Sequence, residues 1–460
     1  MDLRAIAELV PADPALGSSH SEIQLEGPPF EGSAFAVQTA ADLSVGAAVS
    51  AAVDLGLTRG LPPTDPPVLN RGQTLGAFSG RITVNGEPPP IWADLSGMYR
   101  TADNRFIQLH CNFAHHARGV VDHLGVEPER TAVEAAIGKR AGHELEAELI
   151  DRGLIAALCR TLEEWDNHPH AAPTADLPLL SATRLGDAPP RPIPTTGSQL
   201  HAGATAAGVR VIDCSRVLAG PVCGQMLAAV GADVLRVGAA HLPSVDVGVI
   251  STGFGKRNTF LNLDREADRA SLRQLVATGH VFVDAYRPGA LARRGFAPED
   301  IAVLAPGAIV VQLCAFDWEG PWAGRRGFDS IVQSTTGIAL AGGAASESDA
   351  ASGPTRPMPL PVQALDYATG YLAAFAALRL LSRQQTEGGS WLVRLSLLRT
   401  RNWLLSLGAP RPFQPSPLPD LTPWLHNVDS DFGELVAPAP IIGQWRCPPS
   451  KLGSSPASWL

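Results

Sequence analysis

The sequence predicts an α/β protein: a doubly wound, Rossmann-like parallel sheet domain joined to a smaller α+β domain. Three observations carry this expectation. Between residues 208 and 313, short apolar runs alternate with helical stretches, the pattern of a parallel sheet with crossover helices. A Pro-, Gly-, Ala- and Thr-rich run from Asp187 to Gly208 separates that region from what precedes it, as a linker does. After Asp366 comes a helical stretch, Tyr371 to Leu381, that is apolar nearly all round. Such a helix must be buried on every side.

The chain of 460 residues suggests two or three domains. An apolar content of 45% and a charged content of 18% are globular values, while 40 Pro and 45 Gly imply extensive loops. A net charge of −9 argues against nucleic acid or an anionic membrane as main partner. Six Cys stand at 111, 159, 214, 223, 314 and 447, none in a C-x-x-C pair. Zinc ribbons and dithiol redox motifs are thereby excluded, and the thiols are expected to be reduced and buried in a cytoplasmic protein. The start of the chain is acidic and lacks a long apolar run. The nearest candidate for a membrane span carries Asp366 and Arg379, so no span is expected.

In order, residues 1–90 are expected to form an N-terminal helical segment packing on the large domain. A short helix is followed by irregular chain to residue 35 and a helix from Ala36 to Leu57. Its Asp42 and Gly46 repeat the spacing of Asp366 and Gly370. A strand pair is expected in residues 75–89, turning at Asn85-Gly86. Residues 91–186 form the small domain, with strand, turn at Asp103-Asn104, strand, and then helix over 131–165. His110, His115 and His116 lack an acidic or Cys partner at ligand spacing, so no metal site is assigned. Residues 187–207 are the linker, 208–400 the large domain and 401–460 its C-terminal tail. Within the large domain, strands are expected at 209–214, 233–237, 280–284 and 308–313, with helices at 222–230 and 265–277. The carboxyl ends of such strands bind ligands. Here they carry Arg216–Pro221, Tyr286–Gly289 and Ala315–Pro321. No Walker A loop, G-x-G-x-x-G or G-x-S-x-G elbow is present. Asp366 is placed at the N-cap of the apolar helix, where backbone N–H groups and the dipole keep a carboxylate ionised. Alone, it is either a cap or a buried nucleophile or base.

Several segments together resemble the family III CoA-transferases of the carnitine/bile-acid type. They are Arg216-Val217-Leu218-Ala219-Gly220-Pro221, Gly231-Ala232-Asp233-Val234-Leu235-Arg236-Val237, Gly255-Lys256-Arg257 and Tyr286-Arg287-Pro288-Gly289 with Arg293. Gly327-Phe328-Asp329, Asp366 with Gly370, and Ser396-Leu397-Leu398 follow in the family's order. Residues 104–165 are similar to the family's small domain. The resemblance implies that Asp366 attacks an acyl-CoA, forming a mixed anhydride and then an aspartyl-CoA thioester. A carboxylic acid acceptor then takes the CoA. It also implies CoA contacts at Val217, Leu218 and Ala219, and basic contacts at Lys256, Arg257 and Arg293. No permanently bound cofactor is implied; CoA and acyl-CoA are substrates. An interlocked homodimer is implied as well.

The related α-methylacyl-CoA racemases carry a Gly-His-Asp triplet where this chain has Gly327-Phe328-Asp329. Phe cannot carry a proton, which favours transfer over racemisation. Gly238 replaces the family's acidic residue after the second strand, and Gly253-Phe254 replace Asn-Arg. These departures keep one alternative open, an acyl-CoA-binding partner subunit with reduced catalysis; a second is an acyl-CoA isomerase or racemase of the same fold that uses Asp366 with another base. The parts are also rearranged. The small domain precedes the sheet, as in a tandem fusion that lost internal pieces, and Asp42 then reads as a structural relic.

Overall fold

The computed structural model describes residues 14–16, 21–194, 200–346 and 355–460. Much of the expected N-terminal helix, the middle of the linker and part of the Pro-rich stretch before Asp366 lie outside the described residues.

Helix α1 spans Val37–Thr58. A three-stranded antiparallel sheet follows, built from β1 (Gly97–Arg100), β2 (Phe106–Leu109) and β3 (Ala156–Leu158). Asn104 makes its turn in the left-handed region at φ 60°, a conformation Asn tolerates. The region 131–165, expected as continuous helix, is broken at residues 138–141 and again by β3 into the helices Arg130–Ile137, Gly142–Asp151 and Leu162–Asp166.

The large sheet takes β4 (Ser181–Gly186), β5 (Arg210–Cys214), β6 (Asp233–Gly238), β7 (Lys256–Phe260), β8 (Val281–Asp284), β9 (Ile309–Cys314) and β10 (Ser390–Ser396). Its spatial order is β7-β6-β5-β8-β9-β10-β4. Every neighbouring pair is parallel except β10 with β4. Side chains alternate across it with a period of two. Val211, Val281, Val283, Ile309, Val311 and Val393 enter the core on one face. Ile212, Phe282, Val310 and Leu392 enter the core on the other, with Leu272 and Leu275 of helix Glu266–Thr278. Helices on both faces make the sheet doubly wound.

On the first face lie α2 (Ala219–Ala229), α3 (Asp329–Thr335), α4 (Ala364–Glu387) and α5 (Leu397–Ser406). Helix α4 packs against both α1 and α2, which buries it on every side as its composition requires. Arg379 of α4 pairs with Asp54 of α1 at 2.7 Å. The chain runs from β5 outward to β6 and β7, then returns to place β8 on the other side of β5. The loops after β5 and β8 therefore diverge and open a crevice at their carboxyl ends.

Four expectations change. Strand β4 lies in the span assigned to the small domain, yet its backbone completes the large sheet. Arg71–Ala77 is helical, capped by Asn70 accepting from the Gly72 N–H. Only Thr83–Val84 remains as strand there, pairing with the tail hairpin Leu425–Ser430 and Gly433–Pro438. Among the described residues, the helix that is long and apolar enough to cross a membrane by length and composition is α1, not the Asp366 helix, and 89% of its most apolar window is buried in the protein.

Candidate active site

Asp366 stands third in α4, not at its N-cap. The N-cap position is Gln363, whose side chain makes no capping bond. The missing cap comes from α3: the Asp366 N–H donates to Asp329 Oδ2 at 2.9 Å. The Leu365 N–H also donates to Asp329. Asp366 itself accepts from the Ala219 N–H at the start of α2, where the helix dipole is positive.

One sequence feature brings α2 and α4 this close, and a second seats the start of α2 on the ends of β5 and β8. At Gly370, a Cβ would lie 2.6 Å from the Ala219 carbonyl oxygen and 2.7 Å from Val222 Cβ. At Gly220, a Cβ would collide with Ser215 Cβ and lie 2.8 Å from Ala285 Cβ. The entry into α2 is tight enough to force Val217 to φ 71°. A β-branched residue there stores strain of about 1–3 kcal/mol, a feature that clusters at functional sites.

Asp366 borders a cavity of about 410 Å³ between the carboxyl ends of β5 and β8 and the small domain. Val217, Leu218, Ala219 and Gly220 form one wall, Ala285 to Pro288 another, and Phe113, His115, His116 and Ile155 close it from the small domain. Arg325, Arg326, Gly327 and Phe328 also line it. The volume is that of a small-molecule site.

The electrostatics are uneven. Burial pushes the Asp366 carboxyl well above the usual carboxylate range, and the neighbouring Asp329 adds to this. This departs from the ionised cap that the sequence suggests. Burial raises Asp329 to about 6. Burial lowers His116 to about 4, with His115 and Arg326 adding to the shift, so its imidazole is neutral at neutral pH and carries a proton on one ring nitrogen only. Arg216, Arg287, Arg325 and Arg326 line the same cavity. Among the described residues, only Arg325 of these four has a carboxylate within ion-pair distance, Glu146 at 3.3 Å. The cavity wall is thus cationic around a carboxyl group that is held back from ionising.

The structure brings Val217, Leu218, Ala219 and Asp366 together and leaves the three expected basic contacts outside the cavity lining. Lys256 is 1% exposed, with Nζ 3.0 Å from Asp213 Oδ2 and 3.0 Å from the Pro221 carbonyl oxygen. A buried ammonium needs such partners, and this one is spent beneath α2. Arg257 pairs with both oxygens of Asp233 across the β7–β6 edge. Arg293 is exposed on the turn after β8. The cations that do border the cavity sit next to two of the family-like motifs. Arg216 directly precedes Val217, and Arg325-Arg326 directly precede Gly327.

Asp42 lies in a different environment. Its Oδ1 accepts from Thr74 Oγ1 at 2.6 Å and Gln38 Nε2 at 2.9 Å, and Oδ2 is 3.3 Å from Arg71 Nε. It does not line the cavity. Phe328, at the position of the racemase histidine, stacks on His110 with ring centroids 4.0 Å apart. Burial lowers His110 to about 4.

Residues 206–419 match the family described as CoA-transferase family III. Over 203 residues the chain is 34% identical to an acetyl-coenzyme A transferase from Hypoxylon pulicicidum, covering 43% of this chain and 33% of that protein. It is 28% identical to a probable fatty acyl-CoA transferase from Mycobacterium tuberculosis, covering 46% and 57%. It is 30% identical to a succinate–glutarate CoA-transferase from Agrobacterium fabrum, covering 52% and 64%. The chain thus spans between a third and about two thirds of the length of these relatives. Among solved structures, a CAIB/BAIF family protein from Brucella suis is 24% identical, with a TM-score of 0.38, covering 50% of this chain and 64% of that one.

Proposed function

From the match of residues 206–419 to CoA-transferase family III, we propose that the protein moves CoA from an acyl-CoA to a carboxylic acid, with Asp366 as nucleophile. The observation that carries this reading is the position of Asp366. Its carboxyl group is buried at a helix start, accepts the Ala219 N–H at the start of α2, and borders a cationic cavity at the sheet's switch point.

An ionised Asp366 oxygen attacks the thioester carbonyl, the C–S bond breaks, and CoA leaves as thiolate, giving a mixed anhydride. The thiolate then attacks the Asp366 carboxyl carbon and expels the acyl group as a carboxylate, leaving an aspartyl-CoA thioester. An acceptor carboxylate attacks that thioester and repeats the two steps in reverse order, which regenerates Asp366. A carboxylate needs no base at its working ionisation state. The N–H groups at the start of α2 are preorganised donors for the oxyanions that form. Val217, Leu218 and Ala219 contact the pantetheine end, and Arg216, Arg287 and Arg326 supply positive charge that the sequence reading gave to Lys256, Arg257 and Arg293. The protein acts as a homodimer in the cytoplasm in this reading, consistent with six free cysteines.

The test is a panel of acyl-CoA donors and isotope-labelled carboxylic acids, followed by mass spectrometry. Labelled acyl-CoA should form with the wild type and fail to form with Asp366→Asn. Deuterium wash-in at the acyl α-carbon without CoA transfer would instead establish the isomerase, and CoA binding without either reaction the partner subunit.

A further inference from the structure

Asp329 does not line the cavity, yet its carboxylate ends on the backbone of Asp366. It is fully buried. Oδ2 accepts the Asp366 N–H at 2.9 Å, the Leu365 N–H donates as well, and Oδ1 accepts Gln333 Nε2 at 2.5 Å. Gln333 is itself fixed, because its Oε1 accepts the Leu360 N–H at 2.7 Å. Asp329 therefore has three donors, and Asp366 has one, the Ala219 N–H. Two carboxyl groups this close in an apolar interior do not both ionise. The one with more donors holds the charge.

We propose that Asp329 is a positioning residue that caps α4 from another helix and keeps the single negative charge of the pair, so that Asp366 rests as a neutral carboxylic acid. Activation is loss of that proton to water in the cavity, after which the carboxylate can attack. The inference rests on Asp366 being the nucleophile. The other ionisable groups around Asp366 are Tyr367 and Tyr371 on its own helix, Arg216, Tyr286, Arg287, Cys314, Arg325 and Arg326 around the cavity, and His115 and His116 on the small domain. On α1, Asp42 is held by Arg71 and Asp54 by Arg379. Burial raises Asp366, Asp329 adds to this, and the Ala219 N–H opposes it. The pair thus sets its own proton count.

The test has two parts. Infrared difference spectra of wild type against Asp366→Asn at pH 7 should show a protonated carboxyl C=O band in the wild type. Its absence overturns the neutral resting state, and this readout needs no substrate and no Asp329 variant that folds. The pH profile of kcat/KM should show an ascending limb. In Asp329→Asn, circular dichroism being unchanged, that limb should move down by about one pH unit or more, while Asp329→Glu, which keeps the charge, should leave it in place. A limb that stays put in Asp329→Asn with a uniformly lower kcat means a merely structural cap and overturns the proposal. Failure of CoA transfer with every donor would sink the transferase reading, while the infrared result would still decide the protonation state.

Discussion

Lys256→Met separates a buried structural lysine from a phosphate-binding one. Asp213 is fully buried, and its Oδ2 meets Lys256 Nζ at 3.0 Å. Gly224 of α2 leaves the room for this pair, since a Cβ there would lie 2.6 Å from Asp213 Oδ2. Removing the ammonium strands a buried carboxylate, a loss of about 3–5 kcal/mol. For a domain of this size that is a fall of about 10 °C in Tm, at roughly 2–4 °C per kcal/mol. Removing both charges in Asp213→Asn/Lys256→Met should recover most of it, because a buried pair replaced as a unit is nearly neutral. Differential scanning calorimetry measures the melting, and steady-state kinetics measures KM for acyl-CoA. KM should change by less than about twofold, since no interaction with substrate is lost. A Lys256→Met protein with wild-type Tm and a strongly raised KM would refute the structural assignment and restore the phosphate contact that the sequence suggested.

Gly370→Ala puts a Cβ 2.6 Å from the Ala219 carbonyl oxygen, so α2 and α4 must separate by about 0.8 Å to reach ordinary contact. Overpacking of this kind costs about 1–3 kcal/mol, and displacing the Ala219 N–H from Asp366 should lower kcat by about 10²-fold; wild-type values of both would contradict the packing argument. Asp284→Asn should stabilise the protein above pH 6. Burial raises Asp284 to about 6 from 3.8, so the folded state binds the extra proton and wild-type stability falls as pH rises from about 4 through 6. The cost levels off at about 3 kcal/mol at most. Melting curves of wild type and variant should therefore diverge across that window and run parallel above it. Asp42→Asn should lower Tm by disturbing Arg71, Thr74 and Gln38, yet leave the CoA-transfer rate intact; loss of transfer with unchanged melting would make Asp42 a participant.

The parallel sheet was legible because its strands are fully buried and read as short apolar runs, such as Val209 to Cys214 and Ala308 to Leu313. Strand β7 escaped the reading because it opens with Lys256-Arg257, and the charge that marks a loop is neutralised here by Asp213 and Asp233. Strand β4 escaped because an antiparallel edge strand is half exposed and its Arg184 and Gly186 carry no apolar pattern. Asp366 and Val217 to Ala219 were legible from local motif order. The protonation of Asp366 was not, since it depends on Asp329, 37 positions away in sequence. Nor were His115 and His116 readable as cavity wall, because the small domain's docking onto the sheet is a tertiary fact. Lys256 was misread for the opposite reason. A lysine in a family motif looks like a ligand contact, and only the structure shows its charge already neutralised within the protein.

The central claim is that Asp366 is acylated. The wild type should be incubated with an acyl-CoA, quenched with hydroxylamine or borohydride, digested, and mapped by mass spectrometry. A hydroxamate or a reduced side chain is expected at Asp366 alone, dependent on acyl-CoA. The same modification at Asp42 or elsewhere, or CoA transfer that persists in Asp366→Asn, would contradict it.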